Sequence, residues 1–185
     1  MTDTTHSKGA RTAFETDEPD GTQAKKREDY ISWDDYFMGV SILSAERSKD
    51  PNTQVGACIV DQHKKIVGIG YNGFPIGCSD DELPWRRKAD SVNDTKYPYV
   101  VHAEVNSILN STKKLHNATM YVALFPCNEC AKMIIQSGIT EIVYLEDKYA
   151  DTDTVKAAKK MFDMAGIKYR KLEPKHKSIQ LNLEV

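Results

Sequence analysis

The order in which strand-like and helix-like runs alternate after residue 119 restricts this chain more than any other feature of its sequence. Thr119–Leu124 reads as a strand, Cys127 to about Ser137 as a helix, Glu141–Leu145 as a strand, Thr152–Ala165 as a helix stopped by Gly166, and Ile167–Leu172 as a short strand. Strands separated by helices of this length are joined by right-handed crossovers, so these three are expected to lie parallel in one sheet. Upstream, Q-V-G-A-C-I-V-D (54–61) and K-I-V-G-I-G-Y (65–71) flank a polar connection and read as an antiparallel hairpin. A helix N-capped by Ser32 precedes the hairpin. Its apolar positions are Trp33, Phe37, Val40, Ile42, Leu43 and Ala45, and K-D-P-N (49–52) ends it in a turn. A further helix runs from Ala103 to about Thr112. The sum is an α/β domain, one five-stranded mixed sheet covered by helices.

Composition removes whole classes of alternative. Of 185 residues, 40% are hydrophobic and 28% charged, a globular balance, and no apolar run approaches the length that spans a bilayer. Lys and Arg number 25 against 27 for Asp and Glu, and a net charge of −2 gives no general pull toward nucleic acid. A small-molecule substrate is the expected partner, with neither nucleic acid nor membrane. The N-terminus lacks the apolar stretch of a secretory signal, which predicts a cytoplasmic, reducing location. Four cysteines there point to metal binding or catalysis before disulfides.

Residues 1–29 hold seven acidic and five basic side chains and a single aromatic, Phe14, too little apolar surface to offset the entropy of ordering. We therefore expect a disordered tail over 1–30, a folded domain over 31–173 and a C-terminal extension over 174–185. Residues 72–99 show no sustained period. A loop of that length inside a compact domain is usually functional or disordered.

The chemistry sits in His102-Ala103-Glu104 and in Pro126-Cys127-Asn128-Glu129-Cys130, which begins its cysteine pair 25 positions after the histidine. Taken singly, these cysteines read as small buried side chains and the histidine as a core residue. Spaced together, H-x-E and P-C-x-x-C form the zinc deaminase signature. Cysteines three apart at a helix start share one face near the positive end of the helix dipole, which favours thiolates. Two thiolates and an imidazole leave the fourth position of a tetrahedral zinc open, as in catalytic sites. A neutral site of that kind pulls weakly on water, so Glu104, in reach but not needed as a ligand, is the expected proton carrier. Cys58 reads as a buried strand residue and Cys78 as a loop residue.

The sequence resembles the deoxycytidylate (dCMP) deaminases of the cytidine and deoxycytidylate deaminase family over about residues 33–172. The likeness is carried by R-S-K-D-P-N-T-Q-V-G-A-C-I-V (47–60), I-V-G-I-G-Y-N-G-F-P-I-G-C-S-D-D (66–81), L-P-W-R-R (83–87), D-T-K-Y-P-Y-V-V-H-A-E-V-N-S-I (94–108), M-Y-V-A-L-F-P-C-N-E-C-A-K-M-I-I-Q-S-G-I (120–139) and D-K-Y-A-D (147–151). The resemblance implies a cytidine deaminase-like three-layer α/β/α sandwich. It also implies zinc on His102, Cys127 and Cys130, and Glu104 as the acid/base. The implied reaction turns dCMP and water into dUMP and ammonia, upstream of thymidylate. Activation by dCTP with Mg2+, inhibition by dTTP and a homohexamer come with the same resemblance.

Further roles follow for single residues. Asn72 either contacts the sugar or base or organises its own turn. Arg47 and Lys49 leave the first helix as candidate phosphate cations, and Tyr149 is a candidate for the phosphate or the base. Trp85, Arg86 and Arg87 are candidates for an effector triphosphate. The competing readings are a tRNA-type nucleic-acid deaminase, a free-nucleoside deaminase and, from another class, a non-catalytic zinc-stapled module.

Overall fold

A computed structural model describes residues 25–183, and the greater part of the expected N-terminal tail, residues 1–24, lies outside them. The chain divides between Tyr30 and Ile31. In the second unit, helix α1 (Trp33–Ala45) starts at Ser32, whose hydroxyl accepts the Asp35 N–H at 3.0 Å. Strands β1 (Gly56–Val60) and β2 (Ile66–Tyr71) follow, then α2 (Ala103–Leu109), β3 (Thr119–Leu124), α3 (Asn128–Ser137), β4 (Glu141–Glu146), α4 (Asp153–Ala165) and β5 (Lys168–Lys171). The strands form one sheet in the order β2-β1-β3-β4-β5. β1 is antiparallel to β2 and to β3, while β3, β4 and β5 run parallel, as the alternation in the sequence predicts.

Strand alternation divides the core in two. Ala57, Ile59, Met120, Val122 and Ile142 face α2, α3 and α4, the last through Val155, Ala158 and Phe162. Cys58, Val60, Tyr121 and Val143 point the other way, against Phe37 and Met38 of α1 and Leu172. The result is three layers. Each large side chain buried here, such as Phe37 or Phe162, contributes about 1.5–3 kcal/mol.

The buried face of α1 differs from the apolar stripe read in the sequence. Ile42 and Leu43 are exposed, and Ser41 and Ser44 are buried in their place. Glycine explains the exchange: a Cβ on Gly56 would stand 1.8 Å from the Ser41 carbonyl oxygen, so the helix backbone lies almost on the strand. Only small side chains fit between them, and the Ser41 and Ser44 hydroxyls donate to the Gly56 and Gly70 carbonyls at 2.7 and 3.0 Å. On the opposite face a Cβ on Gly70 would meet the Ser107 nitrogen at 2.2 Å, which brings α2 equally close. Gly56→Ala is expected to cost about 3 kcal/mol, a fall in melting temperature of roughly 6–12 °C by differential scanning calorimetry. An unchanged melting temperature would show that α1 can retreat from the sheet.

One further boundary differs from expectation. α2 stops at Leu109 rather than near Thr112, because Asn110 caps it and the Thr112 N–H turns to the Val67 carbonyl at 3.4 Å. The alternating apolar residues after Pro174 form no strand among the described residues. Asp35 holds that segment instead, accepting the Lys175 N–H at 3.2 Å and pairing with His176 at 2.9 Å. No helix among the described residues is long and apolar enough to cross a membrane.

Candidate active site

His102 is the N-cap residue of α2 and Cys127 that of α3, and neither side chain caps its own helix. The sequence is positioned for this on both sides. Val101 is pinned to Gly73 by reciprocal backbone hydrogen bonds of 2.8 and 3.1 Å, which fixes the approach to His102. Phe125 continues the β3–β4 ladder to the Glu146 carbonyl at 2.8 Å, so Pro126 and Cys127 leave the sheet at a defined point. The freed side chains meet: His102 Nδ1 lies 3.5 Å from Cys127 Sγ and 3.4 Å from Cys130 Sγ. The three donors fall within 4.8 Å of one another, with His102 exposed, Cys127 half-buried and Cys130 buried.

The electrostatics of this cluster fit a divalent cation. Hydrogen bonds from Cys130 and His102 bring the Cys127 thiol down to about 3 despite its desolvation. The hydrogen bond to Cys127 raises His102 to about 9, while the same neighbour and burial push Cys130 upward. One thiolate therefore forms readily and the second is resisted by the first. A metal ion supplies the positive charge that the imidazolium and the thiol proton otherwise supply. Soft sulfur and imidazole donors suit zinc.

Glu104 stands in the first turn of α2, 5% exposed, and burial raises its carboxyl above the usual range although His102 works against the shift. Together with His102 and Cys127 it lines a cavity of about 340 Å³. That is a volume for a small ligand.

The other residues singled out in the sequence divide around this cavity. Asn72 lines it, but its amide is engaged: Oδ1 accepts the Val55 N–H at 2.8 Å, and Nδ2 donates to the Thr53 carbonyl at 3.0 Å and Asp50 Oδ2 at 3.4 Å. Tyr149 also lines the cavity. Arg47 and Lys49 are absent from the lining; Lys49 pairs instead with Asp80, and both are exposed. Of the expected effector cluster, Trp85 stacks on Phe74 with ring centroids 4.0 Å apart and donates Nε1 to the Asp80 carbonyl, anchoring the loop. Arg86 is exposed and Arg87 enters the cavity. Cys58 is fully buried and its thiol is pushed up to about 12 by that burial, while Cys78 is exposed.

Asp50, Lys96 and Tyr97 also line the cavity, and sequence reading did not single them out. Lys96 and Asp50 form a buried ion pair 46 positions apart. The available signal was a lysine and a tyrosine in an aperiodic loop, D-T-K-Y-P-Y, next to a long run of polar residues.

A three-layer sheet domain in which two helix starts converge on a His-Cys-Cys donor set, with a buried glutamate beside it, defines the zinc-binding deaminases. The family described as "Cytidine and deoxycytidylate deaminase zinc-binding region" matches residues 31–146. The chain is 60% identical over 161 residues to "Deoxycytidylate deaminase" of Pongo abelii and 59% identical to that of Homo sapiens, each match covering 86% of this chain and 90% of the relative. A crystal structure of dCMP deaminase from the cyanophage S-TIM5 shares the fold, with a TM-score of 0.58 at 24% identity, covering 75% of this chain and 96% of that one. The chain belongs to the cytidine and deoxycytidylate deaminase family.

Proposed function

We propose that this protein hydrolyses dCMP to dUMP and ammonia in the cytoplasm, with His102, Cys127 and Cys130 as zinc ligands and Glu104 as the acid/base. The observation that carries the reading is the shared cavity of Glu104, His102 and Cys127, together with the identity to deoxycytidylate deaminases. When bound, zinc supplies a Lewis acid that makes water a competent nucleophile near neutral pH. His102 and Cys127, at two helix starts, and the buried Cys130 would hold it. Glu104 accepts a proton from the attacking water and delivers it to the cytosine ring nitrogen. It then assists proton transfer to the departing ammonia, so water adds at C4 and the amine leaves from the same carbon. The desolvated carboxyl is suited to this work because its protonated form is not strongly disfavoured. Buried Ala103 and Phe125 give the cavity apolar wall surface.

The same proposal includes activation by dCTP with Mg2+, inhibition by dTTP and a homohexameric assembly, all carried by the resemblance. The testing experiment follows loss of the cytosine chromophore with zinc-loaded protein and dCMP, with and without dCTP and Mg2+, while sedimentation velocity reports the assembly. Conversion of dCMP with one ammonia released per dUMP is the expected result. An inert dCMP with one zinc bound per chain would overturn the nucleotide reading, and RNA substrates would be tested next.

A further inference from the structure

We propose that Arg87 reads the substrate's phosphate, held over the cavity by Tyr97 on a frame fixed by the buried Asp50–Lys96 ion pair; this inference rests on the nucleotide reading above. The argument is one of charge. Five charged or titrating side chains besides the thiol and phenols line the cavity: Asp50, Arg87, Lys96, His102 and Glu104. His102 and Glu104 belong to the metal end. Lys96 and Asp50, with side chains 8% and 1% exposed, neutralise each other. Arg87 has no salt-bridge partner among the described residues, and Asp50 acts on it only from beyond ion-pair distance. A neutral nucleoside leaves that charge unanswered and a nucleotide does not.

The geometry agrees. Arg87 Nε donates to the Tyr97 hydroxyl at 3.2 Å, which orients the guanidinium and leaves its two terminal amino groups for a ligand. A guanidinium with both amino groups free matches phosphate oxygens in bidentate fashion. The frame is built from distant segments. Asp50 accepts the Asn52 and Thr53 N–H groups at 2.8 and 3.3 Å as well as the Lys96 ammonium, and the Lys96 N–H donates to the Arg86 carbonyl at 3.0 Å. The residues next to Arg86 and Lys96 are Arg87 and Tyr97, so that backbone hydrogen bond sets their separation, and the ion pair ties the Lys96 segment to the turn at Asp50. Tyr149, Thr152 and Thr154 add hydroxyl groups to the same cavity.

The test compares dCMP with deoxycytidine on zinc-loaded full-length protein carrying R87A, R87K, Y97F, R47A or K49A. For R87A the ratio of kcat/KM for dCMP over deoxycytidine is expected to fall about 10- to 100-fold, mainly through KM for dCMP. R87K keeps the charge without the fork and should fall between R87A and the unsubstituted protein, and Y97F should lower the ratio less than R87A. An equal loss on both substrates would make Arg87 structural and overturn the proposal. So would a collapse of the ratio in R47A or K49A with R87A unaffected, or an R87A protein that keeps its preference but loses its response to dCTP. If the unsubstituted protein fails on dCMP, the nucleotide reading falls and takes this inference with it. If it succeeds while R87A keeps the ratio, this inference alone falls.

Discussion

Replacing Glu104 with glutamine is expected to lower turnover of dCMP by between roughly 10²- and 10⁴-fold, the range over which a positioned acid/base contributes. The zinc content should stay at one per chain, since the carboxylate lies beside the His102, Cys127 and Cys130 donors without being needed among them. Glutamine matches the shape but cannot accept and return a proton. Stability should not suffer, because the glutamate is 5% exposed and its charged form is disfavoured there by burial. A glutamine relieves that desolvation. Turnover, metal content by atomic absorption and melting temperature are measured on one preparation. Normal turnover in that variant sinks the acid/base assignment.

Cys127→Ser carries the second large effect, and it acts on the metal and the fold together. The serine hydroxyl stays protonated where the Cys127 thiol is held down to about 3, and a hard neutral oxygen is a poor zinc donor. Affinity should fall by more than about 100-fold, the upper range for losing a mere supporting partner of a ligand. If zinc is normally present at about 1,000 times its dissociation constant, its linkage to folding is worth about 4 kcal/mol. A 100-fold loss of affinity removes about 2.7 kcal/mol of it, and complete loss of the metal lowers the melting temperature by roughly 8–16 °C in a domain of this size. Adding a chelator to the unsubstituted protein should reproduce that shift. Cys58→Ala supplies the control, because Cys58 belongs to the cluster on the α1 face of the sheet and should keep its zinc. A serine variant that binds zinc with unchanged affinity in a chelator competition would show that Cys127 is not a ligand.

Much of the arrangement behind these predictions is legible in the chain itself, where the determining interactions are local. Ser32 and Thr152 announce helix starts because a hydroxyl one residue before the first turn satisfies an orphan N–H, and Gly138 and Gly166 announce ends because positive φ suits glycine. The three parallel strands follow from their helical connections. The donor set is readable because each member is tied to a helix start, with His102 and Glu104 on one and Cys127 and Cys130 on the other.

What lay between the helices was not readable. Arg47 and Lys49 are close in sequence to Thr53 and Val55, which line the cavity, yet neither lines it, and Lys49 pairs with Asp80, 31 positions later. Asn72 could serve substrate or its own surroundings, and only the folded chain shows its amide committed to Thr53, Val55 and Asp50.

By itself the sequence determined the order of elements, the hairpin, the parallel half of the sheet and the candidate metal-donor set, since alternation along each strand and spacing at two helix starts record these locally. Only the tertiary structure decided which cations face the ligand, how close α1 can lie to the sheet and what holds the long loop. Those outcomes depend on charges and backbone atoms that meet across dozens of positions, as Asp50 and Lys96 do, and no local pattern records a buried pair before the chain has folded.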